Sequence, residues 1–236
     1  MGDDLVKTVM ELRERIEGLL MQQKLSDPTR RILIAMAGVP GSGKTTISNA
    51  LMQDLNKHGI HDVAVIPMLT LQDGFHYSRA TLSSFSDPVR AFQRRGAPFT
   101  FDATGLLELV VLLSKIPVTA CDEPQIVTKV PGFDHALKDP VPDAITIPSR
   151  TKVVIIEGNY TLLNEEPWSN IAGLVHDKWF VDVPSRLARQ RLAARHLKAG
   201  IETTKDAALL RAEENDIPNG EYIRSRLIEP NVLILN

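Results

Sequence analysis

Cysteine is almost missing from this chain. One thiol, Cys121, in 236 residues leaves no partner for an internal disulfide and too few ligands for a thiolate metal cluster. That points to a reducing, cytoplasmic setting. Aromatic residues are scarce as well, at 5%, and the net charge is only −2. A nucleic-acid groove needs excess Lys and Arg together with stacking rings, so no nucleic-acid partner is expected. No apolar run approaches the ~20 residues of a membrane-spanning helix, so no membrane partner is expected. Asp3 and Asp4 stand where a signal peptide would carry basic residues. What remains is 43% hydrophobic and 24% charged, the balance of an ordinary globular chain, long enough for one large α/β domain.

Against that plain background one stretch stands out: Gly38-Val39-Pro40-Gly41-Ser42-Gly43-Lys44-Thr45. The apolar run Ile32 to Ala37 precedes it, and a helical pattern from Thr46 to Asn56 follows. Buried strand, glycine-rich loop and helix, in that order, form the setting of a phosphate-binding P-loop. The glycines let main-chain N–H groups turn inward on an anion, and the helix start adds its positive dipole end. Gly38, Gly41, Ser42, Gly43, Lys44, Thr45 and Thr46 are therefore the candidate nucleotide-binding residues, with Lys44 reaching the β- and γ-phosphates and the Thr45 hydroxyl holding Mg²⁺.

The rest of the chain reads as a three-layer α/β/α fold around a mainly parallel sheet. Residues 1–29 carry an amphipathic helix, with Leu5, Val9, Leu12, Ile16, Leu19 and Leu20 at helical spacing, expected to pack on the side of the domain. The same helix leaves a homodimer open. Residues 30–236 form the domain proper. Val63 to Ile66 reads as the strand after the P-loop helix, giving a βαβ unit, and residues 78–101 read as irregular. Asp102 is a helix N-cap for residues 103–115. The proline-rich stretch 117–150 reads as a hairpin insertion. Lys152 to Ile156, continuous in apolar residues, reads as the central strand, since a strand covered on both faces shows no alternation.

Three constellations add chemistry to the loop. Glu157 ends the apolar strand; a carboxylate there needs a partner, and Mg²⁺ is the natural one. Asp73 follows the second strand and is the candidate general base for a hydroxyl, although Asp-Gly is also a common turn pair. The helix from Ser185 carries Arg186, Arg189, Arg191, Arg195 and Lys198 with no acidic residue. Such like charge calls for an anion opposite, which makes the helix, over about 185–200, a candidate lid with Arg191 and Arg195 on one face. Phe75, His76, Tyr77, Phe133 and His135 are candidate lining for an acceptor pocket. Asn56-Lys57-His58-Gly59 lacks the final aspartate of a guanine-specifying Asn-Lys-x-Asp, and the apolar strand ends in a single glutamate rather than the acidic pair of a motor ATPase.

Taken together, the P-loop, Asp73-Gly74-Phe75, Phe101-Asp102, Pro131-x-Phe133-Asp134-His135, Glu157-Gly158-Asn159-Tyr160 and the arginine helix resemble the phosphoribulokinase/uridine kinase family of P-loop kinases over residues 32–235. The resemblance implies ATP and Mg²⁺ as cofactors and a small-molecule hydroxyl as phosphate acceptor. It implies catalytic roles for Lys44, Asp73, Arg191 and Arg195, and metal assistance from Thr45 and Glu157. Where uridine kinases carry a histidine and an arginine that hold the base, this chain has Lys138 and Pro140. The acceptor stays open between a ribose-bearing nucleoside, pantothenate and a sugar, and a non-catalytic nucleotide-binding protein is the remaining alternative. Loss of a positioned base costs at least ~10²-fold in rate. Asp73→Asn should accordingly keep ATP binding while turnover, followed as ADP release, falls by at least that factor; near-normal turnover would remove Asp73 from the reaction.

Overall fold

The computed structural model describes residues 3–66, 74–120, 122–134, 137 and 139–236. Five strands make the main sheet: β1 (Ile32–Gly38), β2 (Val63–Ile66), β5 (Val153–Glu157), β6 (Asp177–Asp182) and β7 (Val232–Leu235), in the order β2-β5-β1-β6-β7. All four pairings are parallel. β1 lies in the middle and is buried along its whole length. Its side chains alternate between faces, as a period of two requires. Leu33, Ala35 and Ala37 enter one core cluster; Ile32, Ile34 and Met36 enter the other.

Two helices cover the second face: α1 (Asp3–Ser26) and α2 (Lys44–Lys57). From α1 the buried residues are Val9, Leu12, Ile16 and Gln23. Arg15 anchors this helix by a two-pronged contact with the buried Asp177 carboxylate, one prong at 2.9 Å, and Asp177 also accepts from Trp179 Nε1 at 2.8 Å. The other face carries α5 (Ala103–Lys115), α6 (Trp168–Leu174), α7 (Ser185–Lys198) and α9 (Ile217–Ser225). Between α7 and α9 lie α8 (Lys205–Arg211) and one π-helical turn, Ala212–Asp216. A separate antiparallel hairpin, β3 (Val127–Asp134) with β4 (Asp139–Pro148), stands beside the sheet. Among the described residues no helix is long and apolar enough to cross a membrane.

Several sequence expectations need adjustment. β2 does not pair with β1; β5 lies between them, so the expected βαβ unit spans a strand contributed much later in the chain. β5 is interior, but β1 is the central strand. Residues 78–101 are not irregular throughout: α3 (Arg79–Ser83) and α4 (Pro88–Gln93) form there, capped by Ser78 and Asp87 through bonds to the Thr81 and Arg90 amides. Both helices are too short for apolar periodicity to reveal. Helix α6 also escaped the sequence, whereas the expected hairpin is present as β3 and β4. As expected, Asp102 caps α5 by accepting from Gly105 N at 2.9 Å.

The Arg31 side chain, 1% exposed, ties α5 to the sheet. It donates to the carbonyls of Thr151 (2.9 Å), Leu113 (2.9 Å), Ile116 (3.2 Å) and Ser149 (3.1 Å). Two of these belong to the C-terminal end of α5, where unpaired carbonyls and the negative dipole end favour a cation. Burial pushes the Arg31 pKa below its ordinary value. Hydrogen bonds to charged groups contribute about 1.5–3 kcal/mol each and are partly replaced by water on truncation. Arg31→Met is expected to cost about 2–4 kcal/mol, read as a lower midpoint in urea unfolding; an unchanged midpoint would show that water replaces the guanidinium at no cost.

Candidate active site

The phosphate loop connects the end of β1 to the start of α2, and its shape depends on glycine. Gly41 (φ 77°) and Gly43 (φ 90°) occupy the left-handed region, which residues with a Cβ rarely adopt. At Gly38 the requirement is space: a Cβ there would lie 2.4 Å from the Val181 carbonyl oxygen. At Gly41 it would lie 3.0 Å from Leu192 Cγ, because α7 packs directly on the loop. No side chain caps the N-terminus of α2. Its first amides are thus left available to an anion, which is what a phosphate requires.

Lys44, the first residue of α2, is 2% exposed. Its ammonium donates to the carbonyls of Gly38 (2.8 Å) and Val39 (3.1 Å). Burial lowers its pKa to about 7; the nearby Glu157 carboxylate opposes this shift, and Arg195 adds to it. Glu157 is 1% exposed at the end of β5, directly beside Met36 of β1. Its carboxylate accepts from the Thr45 hydroxyl at 2.8 Å and the Ser48 hydroxyl at 2.7 Å. Among the described residues no cation lies within ion-pair distance of it. A buried carboxylate plus a threonine hydroxyl, facing an open helix start, fits a hard oxygen-loving cation such as Mg²⁺, which keeps waters and phosphate oxygens as its remaining ligands. Ser48 was missed from the sequence. Its only signal is the spacing, three residues after Thr45 and four after Lys44 on one helix face.

Helix α7 covers the loop. Arg191 donates weakly to the Gly41 carbonyl at 3.5 Å, and Arg195 is close enough to Lys44 to bear on its protonation. Arg189 turns away to Glu213 at 2.8 Å, so this arginine does not wait for a ligand. His196, buried on the same helix, meets Asp216 of the π-turn at 2.8 Å. Asn236 was also missed. Its Nδ2 donates to the Ser42 carbonyl at 2.6 Å, and nothing in the local sequence announces that contact. Thr46 is exposed in the first turn of α2, and Ser42 is fully buried.

Asp73 and His135 lie outside the described residues. Phe75 is 7% exposed and packs in the core with Phe101. His76 rests on the Phe101 ring at 4.0 Å and faces Phe133 at 5.8 Å, and Tyr77 meets the Phe85 ring edge-on at 5.6 Å. Arg95 reaches over Phe133 at 5.8 Å and contacts Asp139 at 3.4 Å, which joins the hairpin to this wall. His76, Tyr77 and Phe133 thus share one region next to Phe101, while Phe75 serves the core beneath them.

Fold and loop together are those of a P-loop kinase. The chain belongs to the phosphoribulokinase/uridine kinase family, whose model matches residues 33–199. It is 37% identical over 230 residues to the "Putative uridine kinase C227.14" of Schizosaccharomyces pombe, a span of 97% of this chain and 91% of that protein. A "putative fructose transport system kinase" from Silicibacter superposes with a TM-score of 0.76 at 31% identity, over 94% of this chain and 98% of that one. Saccharomyces cerevisiae YFH7 superposes with a TM-score of 0.78 at 24% identity, over 97% and 98% of the two chains, which shows the shared fold.

Free Lys44, with a pKa near 7, is partly neutral above that pH, whereas a lysine facing phosphate oxygens is charged. ATP binding should therefore take up protons above pH 7, and affinity should fall as pH rises from about 7 towards the higher pKa of the bound state. Calorimetry in buffers of different ionisation enthalpy measures this uptake, and Lys44→Met should abolish it. Equal uptake in both proteins would place the titration elsewhere.

Proposed function

We propose that this chain is an ATP-dependent small-molecule kinase that transfers the γ-phosphate to an acceptor hydroxyl. The observation that supports it most is a convergence at the open start of α2: the Lys44 ammonium, the Glu157–Thr45 pair and the Arg191 and Arg195 side chains of α7. Lys44 exchanges main-chain carbonyls for phosphate oxygens when nucleotide enters. Arg191 and Arg195 face the charge that builds on the transferring group, where a guanidinium fork is effective. In the reaction the acceptor oxygen bonds to the γ-phosphorus, the bond from that phosphorus to the bridging oxygen breaks, and ADP leaves. Asp73 takes the acceptor's proton. Thr45 and Glu157 would help to hold Mg²⁺, which would supply neutralisation of the phosphate charge.

The family resemblance favours a ribose-bearing nucleoside or a similar polyol as acceptor, with pantothenate or a sugar as the other choice. A screen of nucleosides, hydroxy acids and sugars for ADP release above the no-acceptor rate tests the kinase reading. In the best case found, Arg191→Ala should lower kcat at least ~10-fold while the KM for ATP stays within about threefold, the signature of a contact stronger in the transition state. A purely KM effect would make Arg191 a ground-state binder.

A further inference from the structure

A cleft of about 880 Å³ opens on the side of the molecule away from α2. Tyr77, Arg94 and Phe101 form one wall; Glu165, Trp168 and Asn219 belong to the other. The Asn219 side of the cleft adjoins the phosphate loop. Gly220, next to Asn219, sits so close to the loop that a Cβ there would lie 3.4 Å from Val39 Cβ. Tyr160, three residues beyond Glu157, donates to the Gly96 carbonyl at 2.6 Å and links the Arg94 wall to the strand that carries the metal-facing carboxylate.

Arg94 is the unusual group in this cleft. It is half-buried, and its guanidinium donates to Asn219 Oδ1 at 2.9 Å and to the Glu214 main-chain carbonyl at 3.1 Å. Both partners are neutral. The nearby arginines are different: Arg95 meets Asp139, Arg189 meets Glu213, and Arg226 meets Glu165. Two carboxylates of this region are also taken, Asp216 by His196 and Glu165 by Tyr222 as well as Arg226. Asn219, itself 4% exposed, therefore fixes the direction of the Arg94 fork without cancelling its charge. A half-buried, oriented guanidinium with no carboxylate in contact among the described residues suits a planar or tetrahedral anion. Arg90 stands on the same wall, its guanidinium over the Phe99 ring at 5.7 Å. Glu165 and Glu166 line the facing wall. Glu165 is held by Tyr222 and Arg226, whereas the exposed Glu166 can accept hydrogen bonds from hydroxyl groups.

Resting on the kinase reading above, we propose that this cleft is the acceptor site and that the acceptor carries an anionic group, carboxylate or phosphate, seated on Arg94 with Arg90 beside it. The substrate class is then a hydroxylated small acid or a sugar phosphate. A neutral nucleoside would leave the Arg94 charge without a partner.

The test uses the full chain with ATP and Mg²⁺ and matched acceptor pairs: glycerate with glycerol, gluconate with glucitol, ribose 5-phosphate with ribose, and uridine as a neutral nucleoside. ADP release and the shift in melting temperature on adding each compound are both recorded. Anionic members should exceed their neutral partners at least ~10-fold in kcat/KM, the size of one hydrogen bond to a charged group. The carboxylate and phosphate pairs separate the two sources of charge. Arg94→Met should raise KM for the anionic acceptor ~10-fold or more and leave the KM for ATP unchanged, with Arg94→Lys recovering part of the loss. Should Arg94→Met melt early, Arg90→Gln, at an exposed position, provides the second variant and should raise the same KM about threefold. ADP release from neutral acceptors that is insensitive to Arg94 would overturn the anion site and leave the kinase reading standing. Anion-induced stabilisation that Arg94→Met removes, with no ADP release from any acceptor, would keep the site and sink the kinase reading. Absence of both binding and turnover for every anionic member would also overturn the proposal.

Discussion

The parallel pairing of β1 with β5 is the constraint on which the rest of the site depends. It sets Met36 beside Glu157 and so brings a carboxylate, 121 to 112 residues away in sequence from that methionine and from Thr45, to the start of α2. Parallel strands end on the same side of a sheet, so the strand that carries the phosphate loop and the strand that carries the acid reach the same edge. On the other flank, β6 presses the Val181 carbonyl against Gly38 so closely that no side chain fits. The loop is thus clamped between two strands, and α7 closes it from above through Leu192.

Buried charge is concentrated where it has a use, and each case is resolved differently. Asp177 and Arg31 are satisfied by fixed protein partners, an arginine and an indole in one case and four carbonyls in the other. They tie helices to the sheet. Glu157 and Lys44 lie near each other without forming an ion pair, and each is held by neutral groups that a ligand can replace. Arg94 follows the same pattern on the far side of the loop. Taking charge out of water without an opposite charge in contact is costly; Arg31 bears that cost in the structural core, and Lys44, Glu157 and Arg94 bear it around the phosphate loop.

The segment after α7 gives the cleft its outer wall. The π-turn at Ala212–Asp216 shifts the register between α8 and α9. It directs Asp216 to His196 and the Glu214 carbonyl to Arg94. Extra-wide helical turns of this kind recur at functional sites because they redirect side chains that a regular helix would hide. Arg224 then fastens α9 to the end of β6 through the Asp182 carboxylate and the Val183 carbonyl. The two sides of the cleft therefore rest on the same strand ends as the phosphate loop.

What was legible in the sequence is what depends on neighbours along the chain. The glycine-rich loop, the buried runs at Ile32 to Ala37 and Val153 to Ile156, the Asp102 cap and the bounds of α2, α5 and α7 are local. Each follows from backbone conformation, capping or continuous apolar character over a few consecutive residues. Family membership was legible for the same reason, since its motifs are short and ordered. The strand order, with β5 inserted between β1 and β2, was not legible, because parallel pairing joins segments far apart in the chain and leaves no spacing signal. Nor were the Ser48 contact with Glu157, the Asn236 contact with Ser42 or the neutral clamp on Arg94. Those contacts exist only once the sheet and its covering helices have fixed distances between side chains. Sequence alone determined the local phosphate-loop framework, and tertiary packing decided which charges near it are cancelled and which are left open.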